Sequence, residues 1–138
     1  MKRTAHAVWN GSLKEGEGKL TTPSKVLNQS KYCFNSRFGE GRSTNPDELL
    51  AAAHAGCFAM ALSLILGKEG YTPTELDVTS EVTMDADKLE LTGSHLILKA
   101  TIPNITEAKF MECATAAKEN CPVSKALSLP ITMDASLQ

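Results

Sequence analysis

Apolar and polar positions change period several times along the chain. From Thr4 to Phe38, short mixed runs (AHAVW, GKLTT, KVLN, KYCFN) are broken by Gly and Pro. This is the pattern of short strands, with turns at Asn10-Gly11 and Glu15 to Gly18. The loop GEGRSTN then leads into Asn45 to Gly70, NPDELLAAAHAGCFAMALSLILGKEG, which is apolar at almost every position of its middle and predicts one long helix. Asn45 or Thr44 can cap it, Pro46 suits its first position, Asp47 and Glu48 favour its positive end, and Gly67 or Gly70 stops it. Beyond YTPTE, LDVTSEVTMD and LTGSHLILKATIP alternate with period two and predict a hairpin turning near Asp85 to Lys88. TEAKFMECATAAKEN predicts an amphipathic helix from a Thr106 cap to about Asn120, followed by a turn at CPVSKAL and a last strand in LPITMDASL. Strands, helix, strands, helix and strand in this order predict one α+β domain over residues 1–138.

A helix apolar on nearly every side must be covered on nearly every side, by a sheet, by other helices or by a second chain. A transmembrane reading is disfavoured, because His54, Gly56 and Ser63 interrupt the run and much of the rest is alanine, which is only weakly apolar. Charge adds little: 14 Lys+Arg against 16 Asp+Glu give a net charge of −2, with no block of like charge to recruit nucleic acid or acidic lipid. The start MKRTAHAVWNGSLKEG turns polar within a few residues and lacks the apolar core of a secretory signal, so a cytoplasmic protein is expected.

The cysteines at 33, 57, 113 and 121 are too few and too irregular for a secreted disulfide scaffold. With no CxxC or HxxxH pair and with His6, His54 and His95 scattered, zinc is not expected either. Each thiol is therefore weighed singly. Cys57, inside the apolar helix, is either a small core residue or a thiol placed to react. Cys121 precedes Pro122 and so occupies a helix N-cap position, where unpaired N–H groups favour a thiolate. Cys33, in a strand, and Cys113, on the amphipathic helix, read as packing residues. Burial alone would keep Cys57 protonated, so a reactive Cys57 needs a cation or a base. His54, three residues earlier, is one candidate, although a lone histidine on an apolar face is more often a hydrogen-bonded core residue. Arg37, in the strand-to-loop stretch CFNSRFGEG, is the other, since a guanidinium keeps its charge on burial.

The run FNSRFGEGRSTNPDELLAAAHAGCFAMALSLIL, with the N-terminal VWNG and the later CPVSKAL, resembles the OsmC/Ohr family of thiol peroxidases, the OsmC branch in particular. The match extends along most of the chain in consistent order. The resemblance implies an OsmC-like fold, with antiparallel sheets packed around a long central helix in an intertwined homodimer whose sites lie at the chain interface. It further implies that Cys57 reduces organic hydroperoxides and that Cys121 resolves the resulting sulfenic acid as a Cys57–Cys121 disulfide. By the same carry-over, Arg37 stabilises the Cys57 thiolate and Glu48 holds Arg37. No metal or prosthetic group is implied, only an external dithiol of the lipoyl type to regenerate the thiols. No role carries over to Cys33 or Cys113. Phe58, Met60, Phe110 and Met111 are candidates for an apolar wall facing the substrate.

Two other readings fit the residues. Cys57 with His54 can form a nucleophile and base pair for acyl transfer, a reading that leaves Cys121 without a use. A noncatalytic small-molecule-binding dimer with inert thiols, built on the apolar helix, is the third.

Overall fold

In the computed structural model, which describes residues 1–138, the chain divides into two compact units, Met1–Leu49 and Leu50–Gln138.

The first unit holds an antiparallel meander of β1 (His6–Asn10), β2 (Glu17–Thr21) and β3 (Ser30–Tyr32). The β1–β2 connection begins at Gly11, whose φ of +95° a glycine adopts without steric cost. Gly18 on β2 sits opposite Trp9 on β1 and Tyr32 on β3. A side chain at Gly18 would collide with both rings, which close over it with centroids 5.5 Å apart. The KVLN segment is not a strand; Lys25 and Gln29 have positive φ, and across a turn the Thr22 N–H donates to the Leu27 carbonyl while the Thr22 hydroxyl oxygen accepts the Leu27 N–H. Cys33 likewise does not continue a strand. It caps a short helix, α1 (Phe34–Phe38), so Arg37 is helical rather than in a strand-to-loop stretch. The local cause is Ser36, whose hydroxyl accepts the Cys33 N–H at 2.9 Å and donates to the Cys33 carbonyl at 2.8 Å. These bonds satisfy the backbone by turning it into a helix instead of a ladder.

The long helix α2 (Pro46–Lys68) begins as its sequence requires: the Asn45 side chain accepts the Glu48 N–H at 2.8 Å, with Pro46 at the first helical position. It ends at Gly70, where φ is +87° and the Tyr71 N–H returns to the Leu66 carbonyl at 2.8 Å.

The second unit is built on β4 (Glu75–Asp85) and β5 (Glu90–Thr101), a hairpin whose turn is fixed by Asp85 accepting the N–H groups of Asp87 and Lys88. α3 (Glu107–Asn120) starts at a Thr106 side-chain cap. CPVSKAL is not merely a turn but contains a short helix, α4 (Pro122–Ala126). β6 (Ile131–Leu137) then pairs with β5 in parallel, so this sheet is mixed rather than antiparallel. The reason is topological: α3 and α4 carry the chain back along the sheet, and a strand entered after such a crossover runs parallel to the one before it.

Strand β5 buries Ser94, Leu96, Leu98 and Ala100 on one face at period two. Helix α2 buries His54, Phe58, Leu62 and Leu66 at steps of four, and α3 buries Phe110, Cys113, Ala114 and Ala117. The apolar members of these three stripes form a single core cluster. Core packing thus explains the interior face of α2. Its other face is uncovered: Ala52, Ala53, Gly56, Met60, Ser63 and Leu64 are exposed, Met60 at 76% and Leu64 at 60%. Phe58 and Phe110 are core residues with no exposed surface, while Met60 and Met111 face outward, so the four do not form one wall.

Candidate active site

Helix α2 presents Cys57 one position before the buried Phe58, on the half-buried flank of the core stripe shared with Ala61 and Ile65. Cys121 ends α3 and precedes α4, and it is fully buried. The two thiols meet. Burial raises the Cys57 thiol above its ordinary value, its contact with the Cys121 sulfur raises it further, and the Val123 N–H offsets part of this. Burial also pushes Cys121 up, but the Cys57 thiol, the N–H and hydroxyl of Ser124 and the Val123 N–H outweigh it, leaving Cys121 lowered. Cys121 makes no full capping hydrogen bond; the polar hydrogens at the start of α4 act on its sulfur from nearby. The shifts of the two thiols therefore run in opposite directions, Cys57 raised and Cys121 lowered.

His54, three residues before Cys57, is wholly buried and turned toward serines. Its Nδ1 lies 2.7 Å from Ser94 Oγ and its Nε2 lies 2.8 Å from Ser124 Oγ. Burial lowers its pKa, so at neutral pH it is an uncharged imidazole. With both nitrogens occupied by hydroxyls, His54 is not the base of a Cys57 pair. The sequence had a signal for its partner: Ser94 is the polar residue that continues the buried alternation of Leu96, Leu98 and Ala100 on β5.

In the first unit, Arg37 forms a bidentate pair with Asp47, Nε to Oδ2 at 3.3 Å and Nη2 to Oδ1 at 3.2 Å. Within the chain Glu48 does not hold the arginine; its Oε2 accepts the Thr44 hydroxyl at 2.7 Å. The cap explains the difference. Asn45 binds the Glu48 N–H and, through its amide, the Ser36 carbonyl at 3.0 Å, which brings α1 against the first turn of α2 where Asp47 faces Arg37. Arg37 also borders a cavity of about 330 Å³ whose other walls include Trp9, Leu13, Tyr32, Phe34 and Phe38. Cys33 lines the same cavity; the N–H and side chain of Ser36 lower its thiol, against a smaller upward push from burial. Cys113 is the opposite case, buried at 2% exposure in the core and raised chiefly by burial.

The fold is that of known OsmC and Ohr structures. An OsmC like protein from Mycoplasma pneumoniae matches with a TM-score of 0.76 over 99% of this chain and 97% of that one, at 18% identity, a likeness of fold. The organic hydroperoxide resistance protein OhrB of Bacillus subtilis matches with a TM-score of 0.65 over 98% of each chain, at 24% identity. Residues 39–136 match the family model described as OsmC-like protein. Peroxiredoxin OsmC of Escherichia coli (strain K12) is 43% identical over 138 residues, covering 99% of this chain and 96% of that protein. Organic hydroperoxide resistance protein-like 2 of Staphylococcus epidermidis is 29% identical over 88% of this chain and 89% of that protein. The chain belongs to the OsmC family, whose named relatives carry a peroxidase-type redox role.

Proposed function

We infer that the protein is a cysteine-based peroxidase that reduces organic hydroperoxides to alcohols. The observation that carries this reading is the meeting of Cys57 and Cys121, two thiols from distant parts of the chain, in a family whose relatives include a peroxiredoxin and organic hydroperoxide resistance proteins. In the proposed reaction the Cys57 thiolate attacks the distal oxygen of ROOH, the O–O bond breaks, Cys57 becomes the sulfenic acid, and the departing alkoxide takes up the proton that Cys57 gave up on ionising and leaves as ROH. Cys121 then attacks the sulfenic sulfur, the S–O bond breaks, water leaves, and the disulfide protects Cys57 from irreversible oxidation. An external dithiol of the lipoyl type takes up the oxidation and restores both thiols. The scheme uses no metal or prosthetic group, and we place it in the cytoplasm, in one functional unit formed by residues 1–138.

Burial raises the Cys57 thiol, so Cys57 needs an additional positive charge to attack. We assign that charge to Arg37, with Glu48 as a further acidic residue of the site, and we assign them to the Cys57 of a partner chain. The support is the exposed apolar face of α2, which a second copy of the chain would bury in a homodimer. The aromatic cavity beside Arg37 supplies an apolar surface suited to the organic part of a hydroperoxide.

Mass spectrometry of the reduced protein after one equivalent of cumene hydroperoxide tests the reading. A Cys57–Cys121 link supports it; an unchanged mass refutes it and leaves the noncatalytic reading. The acyl-transfer reading loses its base, because both His54 nitrogens bind serine hydroxyls.

A further inference from the structure

The proposed reaction leaves the most deeply buried titratable side chain of α2 unused. His54 joins four hydroxyl and thiol groups from different elements. Ser80 Oγ on β4 lies 3.1 Å from Ser94 Oγ on β5, Ser94 lies 2.7 Å from His54 Nδ1, and His54 Nε2 lies 2.8 Å from Ser124 Oγ on α4. Ser124 is three residues from Cys121 in the first turn of α4, and its N–H and hydroxyl lower the Cys121 thiol. Ser94 is 1% exposed, Ser124 7%, and His54 and Cys121 not at all.

We propose that His54 is a positioning residue for the resolving thiol: through Ser124 it holds the Cys121 sulfur oriented for attack on the Cys57 sulfenic acid. The proposal rests on the peroxidase reading for the word "resolving", while the placement of His54 against Ser124, three residues from Cys121, stands on the geometry.

The direction of the chain follows from its ends. A thiolate only accepts hydrogen bonds, so Ser124 donates its O–H to Cys121 and its oxygen is left to accept the His54 Nε2–H. His54 Nδ1 then lacks a proton and accepts the Ser94 O–H, and Ser94 accepts in turn from Ser80. Every donor has one acceptor, and the imidazole tautomer is fixed without ionisation. Without His54, Ser124 is free to turn its O–H to another acceptor, and Cys121 loses a donor aimed at it.

The chemistry assigned to Cys121 balances. Its thiolate sulfur, formally −2, forms a bond to the sulfenic sulfur of Cys57, formally 0; both become −1 in the disulfide. The S–O bond breaks, and the departing hydroxide takes up the proton that Cys121 gave up on ionising, leaving as water. His54 remains neutral throughout. The titratable groups facing Cys121 are Cys57 from α2 and, through Ser124, His54.

The test separates the two thiol steps. Pre-reduced protein is mixed with one equivalent of cumene hydroperoxide, quenched at intervals, and analysed by mass spectrometry for sulfenic acid, trapped with dimedone, and for disulfide. In Ser124→Ala and in His54→Gln, disulfide closure should slow by about tenfold, the scale of losing one hydrogen bond to a charged group. Trapped sulfenic acid should accumulate, and the pH profile of closure should move upward. Ser124→Thr, which keeps the hydroxyl, should recover most of the rate. Closure at the parent rate and pH profile in both variants would overturn the proposal. If the parent protein forms neither sulfenic acid nor disulfide, it is the peroxidase reading that fails. The linkage is then decided by ultraviolet thiolate titration in a Cys57→Ala background: Ser124→Ala and His54→Gln should each raise the Cys121 midpoint, and unchanged midpoints would refute it.

Discussion

Arg37 sets its Nε and Nη2 against the two carboxylate oxygens of Asp47, at 3.3 and 3.2 Å, with the arginine side chain 36% exposed and the aspartate 16%. The pair anchors the one guanidinium of the aromatic cavity to the first turn of α2. In a partly exposed position such a pair contributes little to stability, on the order of 0.2–1 kcal/mol. Its value is in fixing where the charge points.

Three substitutions exploit that division. Arg37→Ala should slow alkylation and peroxide oxidation of Cys57 at neutral pH and move the pH profile upward, since burial already raises this thiol and the opposing charge would be gone. Asp47→Asn should reproduce part of the effect with little loss of stability. Glu48→Gln measures what Glu48 adds. Stopped-flow oxidation at several pH values checks all three; identical profiles for Arg37→Ala and the parent would remove Arg37 from the site.

Cys57→Ser should abolish hydroperoxide reduction. Cys121→Ser should allow about one turnover and then hold a sulfenic acid that dimedone labels, because attack and resolution belong to different thiols. Labelling no greater than in the parent protein would show that Cys121 is not the trap.

Cys113 packs among Phe110, Ala114 and Ala117 with its thiol raised by burial. Its replacement by Ala should leave turnover within about twofold and lower stability by roughly 1–2 kcal/mol, the range of most point changes. Chemical denaturation and steady-state assay read the two quantities separately.

The buried neutral His54 makes stability depend on pH with a definite sign. Its folded pKa is below the unfolded value of about 6.5, so as pH falls through 6.5 the unfolded chain takes up a proton that the folded chain refuses. Stability should therefore fall with acidification from that point down toward the lowered folded pKa. In His54→Gln the decline between about pH 7 and pH 5 should be smaller, even though its stability at pH 7 is lower. Melting temperatures of both proteins across that range give the comparison, and parallel curves would contradict a buried neutral imidazole.

Complementation tests whether the site is shared between chains. Cys57→Ser and Arg37→Ala chains are mixed in equal amounts, unfolded and refolded together. If Arg37 serves the partner's thiol, each heterodimer has one intact site and activity should return to about a quarter of the parent value. If Arg37 acts within its own chain, every site lacks one group and activity stays absent. A monomer in sedimentation would end the shared-site model.

Local rules in the sequence determined the elements that have local causes. The Asn45 cap, Pro46 and the stop at Gly70 set α2, the Thr106 cap set α3, and period-two alternation with Asp85 at the turn set the β4–β5 hairpin. Cys57 and Cys121 were legible as candidates because a thiol in an apolar run and a thiol before proline stand out, and Arg37 because a guanidinium keeps its charge on burial and sits in the FNSRF run that carries the family resemblance. Tertiary structure alone decided how those groups pair. Ser36 turned Cys33 out of a strand and into a helix cap, and Asp47 rather than Glu48 took the arginine because the Asn45 contact holds α1 beside Asp47 in the first turn of α2. The parallel register of β6 came from the crossover before it. His54 became a neutral link between serines because one came from β5 and the other from α4. Hydrogen-bond partners so far apart in sequence leave no periodic trace; they exist only once the core stripes of α2, β5 and α3 have packed and brought them within reach.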